Sequence, residues 1–145
     1  MLIQEAEYRD LPMIVELACR LWQEHTPEEM HTEMEQIIRK PDAQFFLAAT
    51  EDGVVGFAQC QLRHDYVEGT DGSPVGYLEG IYVRREYRNR GVARALLAAC
   101  ETWAKSRGCT AFASDCELTN RESLAFHLNV GFEEANRIIC FVKSI

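Results

Sequence analysis

A short basic segment holds the densest set of residues that could bind a ligand. Five of the fifteen Lys and Arg residues lie within residues 84–94 of a chain whose formal charge is −8. The segment falls between an apolar stretch typical of a strand and a helix predicted from about Gly91 to Arg107. Main-chain N–H groups at a helix start bind anions, and glycine lets the backbone approach a phosphate closely. The pattern predicts a phosphate site; the alternative is an ordinary basic connection that begins a helix.

Glu79 is the first of two carboxylates placed where they could act on a ligand. It lies in a strand predicted over 75–84, where alternation puts its side chain on the same face as Tyr77, Ile81 and Val83. A carboxylate in such a position can bind a cationic group and accept its proton. The alternative places Glu79 on the exposed face of an edge strand.

Asp115 is the second carboxylate. It ends a strand predicted over 109–115, after Ala111 and Ala113 on the same face, at the carboxyl edge where parallel sheets bind ligands. There it could bind or deprotonate the same cationic group. The alternative for Asp115 is a helix or turn cap.

The elements that must position these residues follow from periodicity, caps and turns. Strands are predicted over 1–8, 44–51, 54–64, 75–84, 109–115 and 138–142, and helices over 10–24, 27–40, 91–107 and from Thr119 to just before Gly131. Asp10 and Thr26 are the expected N-caps of the first two helices, and Asp52-Gly53 predicts a hairpin. Strands and helices alternate in the second half, which indicates a partly parallel sheet. The result is a mixed α/β fold in one domain over 1–145.

Composition excludes several classes of protein. The 145 residues include 23 acidic and 15 basic ones, a balance that disfavours nucleic acid and attracts small polycations. The chain has no apolar run of about 20 residues and no signal peptide, so we expect a cytoplasmic protein with no membrane partner. Its six cysteines are scattered without a C-x-x-C pair, which is typical of reduced, buried thiols.

Two motifs resemble the GNAT superfamily of acetyl-CoA-dependent N-acetyltransferases. Residues 88–93, Arg-Asn-Arg-Gly-Val-Ala, are similar to its (Gln/Arg)-x-x-Gly-x-(Gly/Ala) motif. Residues 120–132 are similar to its second signature, Asn-x-x-Ala/Ser followed by Tyr-x-x-x-Gly-Phe, at the usual separation. The order of elements matches over essentially the whole chain. The resemblance implies a GNAT fold, with a central twisted sheet of about six to seven strands flanked by about four helices.

The same resemblance implies acetyl-CoA as cosubstrate and no metal ion. Main-chain amides of residues 88–93 would hold the pyrophosphate, and the main chain of residues 81–83 would pair with the pantetheine arm as an added strand would. An N–H of that strand would stabilise the oxyanion formed from the thioester. The implied cofactor residues are Ile81, Tyr82, Val83, Arg88, Asn89, Arg90, Gly91, Val92, Ala93 and Asn120.

His127 departs from the superfamily pattern. It stands where the family often has a tyrosine that protonates the departing CoA thiolate. Histidine can donate a proton near neutral pH, which makes His127 a candidate general acid. The alternative is a helix histidine satisfied by a neighbour, because a CoA thiolate leaves tolerably without assistance.

A narrower resemblance concerns the acceptor. Residues 63–83 resemble the corresponding stretch of bacterial aminoglycoside 6′-N-acetyltransferases, and so do residues 21–22, 113–115, 127 and 131–134. The resemblance implies an aminoglycoside-binding face formed by Trp22, Tyr66, Glu79 and Asp115, with the acidic residues Asp65, Glu68 and Asp71 nearby. Without it, Trp22 and Tyr66 would be expected in the core. It also implies a homodimer.

These inferences predict direct transfer in a ternary complex, and therefore aminoglycoside resistance. Glu79 would accept the amine proton, directly or through water, while the 6′-amine attacks the thioester and CoA leaves. Residues 135–137, Ala-Asn-Arg, lack the acidic character expected there, which bears on the choice of aminoglycoside. The rival functions are a GNAT enzyme for another amine, such as a polyamine or a protein terminus, and a CoA-binding module without turnover.

Overall fold

The computed structural model describes residues 1–145. Five strands and four helices follow one another as β1 (Leu2–Glu5), α1 (Leu11–Leu21), α2 (Pro27–Ile38), β2 (Ala43–Thr50), β3 (Gly53–Arg63), β4 (Val75–Val83), α3 (Val92–Ser106), β5 (Phe112–Ser114) and α4 (Arg121–Asn129). Short 3₁₀ turns occupy Tyr8–Asp10 and Arg85–Tyr87. None of the helices is both long enough and apolar enough to cross a bilayer.

The strands form one mixed sheet in the order β1-β2-β3-β4-β5. Neighbours are antiparallel except β4 and β5, which are parallel and joined through α3. The partly parallel sheet and the β2–β3 hairpin are therefore confirmed, although the turn residues are Glu51 and Asp52 and Gly53 already belongs to β3. The prediction of six to seven strands is wrong, because the sheet has five.

The tail accounts for one missing strand. Residues 138–142, predicted as a strand, form no ladder, and Phe141 and Val142 are 90% and 100% exposed. Their apolar, β-branched composition favours a strand, but a strand exists only where a neighbouring edge supplies hydrogen bonds. No strand of this chain pairs with the tail.

The sheet is covered on both faces. One apolar cluster lies between the sheet and α1 and α2, and includes Ile14, Leu17, Met30, Met34, Phe45 and Phe57. The other lies between the sheet and α3, and includes Cys60, Leu78, Leu96, Cys100 and Trp103. Burial of these side chains supplies the main driving force for folding and fixes the sheet between the helices.

A β-bulge in β4 decides which way the site residues point. Gln59 pairs with Gly80 and Cys60 with Leu78, so Glu79 is an extra residue on β4. An inserted residue reverses the alternation of side chains beyond it. The prediction that Glu79 shares a face with Ile81 and Val83 is therefore wrong.

Three local predictions are corrected in part or in full. Asp10 is the N-cap residue of α1 as predicted, but its side chain does not cap that helix, because its carboxylate accepts from the N–H of Glu7 at 2.8 Å. The helix predicted from Thr119 begins instead at Arg121, with Asn120 as its N-cap. Two cysteines expected to be buried, Cys116 and Cys140, are exposed because each lies beyond the last strand. Thr26, by contrast, caps α2 as predicted.

Candidate active site

A cleft opens where β4 and β5 separate. Their parallel pairing is limited to three residue pairs and ends at Leu78 and Ser114. The rest of β4, from Glu79 to Val83, has β3 on one side and no strand on the other. Main-chain groups alternate along the strand, and those of Tyr82 point to β3, so Ile81 and Val83 present theirs to the cleft, where an extended ligand arm could pair with them.

The loop at one end of the cleft is shaped by two left-handed residues. Asn89 has φ = 61° and Gly91, the N-cap of α3, has φ = 80°. No side chain caps α3, so the N–H groups of its first turn, including those of Val92 and Ala93, have no such partner. Amides arranged in this way at a helix start form an anion site. A Cβ on Gly91 would meet no atom of the chain within 4 Å. Glycine is therefore favoured here by the positive φ angle and not by a lack of space.

Two arginines line this loop. The Nε of Arg88 donates to the carbonyl of Val83 at 2.8 Å, and its Nη1 lies 4.0 Å from the carboxylate of Glu122. The guanidinium of Arg90 lies 5.6 Å from the ring centroid of Tyr87. Both guanidinium groups are accessible to solvent, so each could contact a phosphate bound at this loop.

Two other arginines of the basic segment serve the fold. Arg84 donates to the carbonyl of Val54 at 3.1 Å and to the carboxylate of Glu16 at 2.9 Å. Arg94 donates to the carbonyl of Asn129, at the end of α4, at 3.2 Å. The concentration of positive charge in the sequence therefore overstates the number of arginines available to an anion.

Asn120 and His127 lie on α4 and its start. The Oδ1 of Asn120 accepts from the N–H of Ser123 at 3.0 Å, so this side chain caps the helix. The Nδ1 of His127 lies 2.7 Å from the carbonyl oxygen of Ser123, which can only accept, so Nδ1 carries a proton. Its Nε2 lies 2.8 Å from the Oγ of Ser114. Nε2 is therefore the atom at which His127 would gain or lose a proton.

The two carboxylates are linked on the opposite face of the sheet. The Nε and Nη2 of Arg63 donate to Glu79 at 3.1 and 2.8 Å, and the guanidinium lies 3.4 Å above the ring centroid of Tyr77. The Tyr77 hydroxyl in turn donates to Asp115. Burial first, and then the bond to Asp115, raise the pKa of Tyr77, so its hydroxyl stays a donor across the physiological range.

Trp22 packs against this face of the sheet, whereas Tyr66 is exposed on a loop. Trp22 packs directly over Gly80, where a Cβ would lie 2.5 Å from the indole ring, and contacts the edge of Phe57. It is thus partly buried against the cluster beneath α1 and lies beside Gly80, the residue after Glu79. Tyr66 is 76% exposed, and Val67 anchors its loop among buried residues.

The acidic loop contacts the segment that follows α4. The Nδ2 of Asn136 donates to Glu68 at 3.2 Å, and Arg137 forms an ion pair with Glu134 at 2.5 Å. Asn136 and Arg137, which stand where acidic residues were expected, therefore each bind a carboxylate. Asp65 remains exposed.

The site has two sides separated by the sheet. Ser114 and His127 lie on the side of α3, since Ser114 pairs with Leu78. Glu79 and Asp115 lie on the side of α1, with Tyr77. Sequence reasoning missed Arg63 and Ser114 as partners, because nothing local in the chain marks either contact. An acyl group held in the cleft would have a proton acceptor on one side and a proton donor on the other.

Comparison with known proteins gives the class. The model of the acetyltransferase (GNAT) family matches residues 11–132. The chain belongs to the acetyltransferase (GNAT) family.

The most similar proteins narrow the comparison. The chain is 37% identical over 140 residues to an aminoglycoside N(6′)-acetyltransferase type 1 of Serratia marcescens, with 96% of each chain covered. Its fold matches the apo aminoglycoside 6′-N-acetyltransferase of Acinetobacter haemolyticus with TM-score 0.95 and 38% identity, over 100% of this chain and 99% of that one. It also matches a complex of AAC(6′)-Iy with the bisubstrate analogue CoA-S-monomethyl-acetylneamine, with TM-score 0.93 and 36% identity, over 99% and 97% of the two chains. Both resemblances drawn from the sequence are confirmed.

Proposed function

We propose that this chain, acting as one domain over 1–145, transfers the acetyl group of acetyl-CoA to the 6′-amine of aminoglycosides and so confers resistance. The observation that carries the proposal is the pair of carboxylates, Glu79 and Asp115, on one side of a cleft that leads to an anion-binding loop. A polycationic amino sugar and an acetyl-CoA thioester would meet there. Similarity to aminoglycoside acetyltransferases over nearly the full chain supports the same choice of acceptor.

The cofactor is assigned to the cleft and its loop. Main-chain amides of residues 88–93 bind the pyrophosphate, with Arg88 and Arg90 adding positive charge. The free edge of β4 at Ile81, Tyr82 and Val83 pairs with the pantetheine arm. Asn120 contacts that arm through its Nδ2, since its Oδ1 is occupied by the helix cap.

The chemistry is direct transfer in a ternary complex. Glu79 or Asp115 binds the ammonium group and accepts its proton; the free amine attacks the thioester carbon; an N–H near Ile81 stabilises the oxyanion. The C–S bond then breaks as the nitrogen gives up a second proton, to the other carboxylate or to solvent, and the amide forms; His127, protonated on both ring nitrogens, gives its Nε2 proton to the departing thiolate. Trp22 and Tyr66 cover the sugar rings, with further ammonium groups near Asp65 and the acidic loop.

The chain is also proposed to form a cytoplasmic homodimer. The tail exposes four large apolar side chains, Ile138, Ile139, Phe141 and Val142, and β5 has one edge without a partner strand. Both features are typical of a surface that a second copy of the chain covers. Light scattering should give about twice the chain mass of 16.6 kDa. A chain ending at Arg137 should be monomeric; an unchanged mass would remove the tail from the interface.

Release of CoA thiol from acetyl-CoA tests the activity. We expect turnover with kanamycin or tobramycin, and little with spermidine or a peptide amine at the same concentration. The double variant Glu79→Gln, Asp115→Asn is the matched control, because it keeps the shape and removes both charges. Turnover with the polyamine or peptide but with no aminoglycoside at millimolar concentration would leave only the family assignment.

A further inference from the structure

Arg63 holds a position between the two proposed catalytic carboxylates. It ends β3, and its side chain is 40% exposed while that of Glu79 is 17% exposed. Both oxygens of Glu79 accept from it, one from Nε and one from Nη2.

The two-point contact restricts Glu79. A glutamate side chain turns about three bonds, and a single hydrogen bond leaves its carboxylate free to rotate. A planar guanidinium that meets both oxygens fixes the plane and direction of the carboxylate, which an ammonium group does not do. About half of the lone-pair sites of Glu79 then remain for an acceptor amine.

Arg63 is itself held by Tyr77, in a series of contacts that runs from Glu79 through Arg63 and Tyr77 to Asp115. Its guanidinium lies 3.4 Å above the centroid of Tyr77, which is 7% exposed and donates to Asp115. A change at Arg63 therefore reaches both carboxylates. The series joins β3, β4 and the residue after β5, which are the elements that border the cleft.

The charge of Arg63 has a second consequence. A fixed cation beside the acceptor site opposes the protonated form of an amine and favours the free amine, which is the nucleophile. The same charge weakens the binding of a polycation. Loss of the charge should therefore act in opposite directions on binding and on the chemical step.

We propose that Arg63 is a positioning residue for acetyl transfer, which orients the carboxylate of Glu79 and, through Tyr77, sets its spacing from Asp115. The inference rests on the proposed function, since it concerns the same acceptor amine. The competing possibility is that Arg63 occupies the ammonium position only until an acceptor displaces it.

Three variants separate the two possibilities. Arg63→Met keeps a flexible apolar stem over Tyr77 and removes the fork and the charge, while Arg63→Lys keeps the charge and removes the fork. Arg84→Met is the matched control, because Arg84 also pairs with a glutamate, Glu16, but outside the site. Steady-state kinetics with kanamycin and calorimetry with acetyl-CoA supply the readouts.

The expected pattern is a split between kcat and KM. Arg63→Met should lower kcat at least about tenfold with the KM for kanamycin unchanged or lower, and with parental acetyl-CoA affinity. Arg63→Lys should fall between this variant and the parent, and Arg84→Met should match the parent. In a Glu79→Gln background, Arg63→Met should cause no further loss of kcat, because the two residues act as a unit.

Other results overturn the inference in distinguishable ways. A parental or higher kcat in Arg63→Met, with a lower KM, would mean that the acceptor displaces Arg63. If Arg63→Met does not fold, a parental kcat in Arg63→Lys overturns the orienting role by itself. If the parent acetylates no aminoglycoside, the proposed function fails first and the role of Arg63 fails with it.

Discussion

The proposed cofactor cleft, between β4 and the start of α3, and the proposed acceptor face, with Glu79 and Asp115, are built from different parts of the chain. The cleft is made of main chain: the free edge of β4, the left-handed residues Asn89 and Gly91, and the uncapped start of α3. The acceptor face is made of side chains, with Arg63 and Tyr77 joining Glu79 to Asp115. One half of the site is defined by dihedral angles and the other by ionised groups.

This difference decides what each half tolerates. A main-chain site is indifferent to most side chains but fails when the backbone must change its dihedral angles. A side-chain site keeps its backbone when a carboxylate becomes an amide, yet loses charge and basicity. Isosteric substitutions should therefore affect acceptor chemistry alone, and substitutions at positive φ should affect cofactor binding alone.

The largest effect is expected at the acceptor face. Glu79→Gln should lower turnover with kanamycin by roughly 10²-fold or more, because the amide neither accepts the proton nor binds the cation. Asp115→Asn should raise the KM for kanamycin more than it lowers kcat. Acetyl-CoA affinity, measured by calorimetry, should stay near the parental value in both variants. A large loss of acetyl-CoA affinity in either one would break the proposed separation of the two halves.

The second effect is expected at the loop. Gly91→Val should weaken acetyl-CoA binding at least about tenfold, because a branched residue does not adopt φ = 80° and the amides must shift. Gly108→Val is a matched control. Gly108, just after α3, has φ = 87°, and like Gly91 it has no atom within 4 Å of its Cβ position. The two variants should lose similar stability in urea, and only the first should lose cofactor affinity; equal losses of affinity would place the pyrophosphate elsewhere.

How well each half could be predicted follows from how local its signals are. The loop was visible in the sequence because Gly91 and the start of a helix are adjacent in the chain. For the acceptor face, the sequence indicated only two separate acidic residues, Glu79 and Asp115, and not the contacts that link them. The bulge at Glu79 depends on pairing with β3, and the ion pair with Arg63 spans a separation of 16 residues. Alternation along one strand therefore gave the wrong face for Ile81 and Val83.

The tail shows the same limit in another form. Residues 138–142 have the composition of a strand, but composition does not supply a partner edge. The fold class, the hairpin and the crossover helix were predictable because they depend on contacts between elements close in sequence. The strand count depends on which edges meet in space.

A smaller effect is expected at His127, on the side of the cleft away from the carboxylates. His127→Ala should lower kcat about tenfold and remove one ionisation from its pH profile, with acetyl-CoA affinity nearly intact. Ser114→Ala removes the partner of Nε2 but keeps the ring held by Ser123, and it should retain the ionisation. An unchanged profile in His127→Ala would make this histidine a structural residue.

The smallest effect concerns stability rather than rate, at Gln59. This residue lies opposite Gly80 on the acceptor face, it is 5% exposed, and its Oε1 is buried with no hydrogen-bond partner. A buried polar atom without a partner costs about 1–3 kcal/mol, so Gln59→Met, which is similar in size and lacks that oxygen, should raise the free energy of unfolding by about 1 kcal/mol. Urea unfolding measures the change. Gln61→Met is the control, since Gln61 faces the same way but is only partly buried, and it should stay within about 0.5 kcal/mol of the parent. A less stable Gln59→Met would mean that the amide is satisfied in solution. A more stable variant would show that Gln59, which lies on the acceptor face beside Glu79, lowers the stability of the parent protein. Residues of functional sites often have this effect.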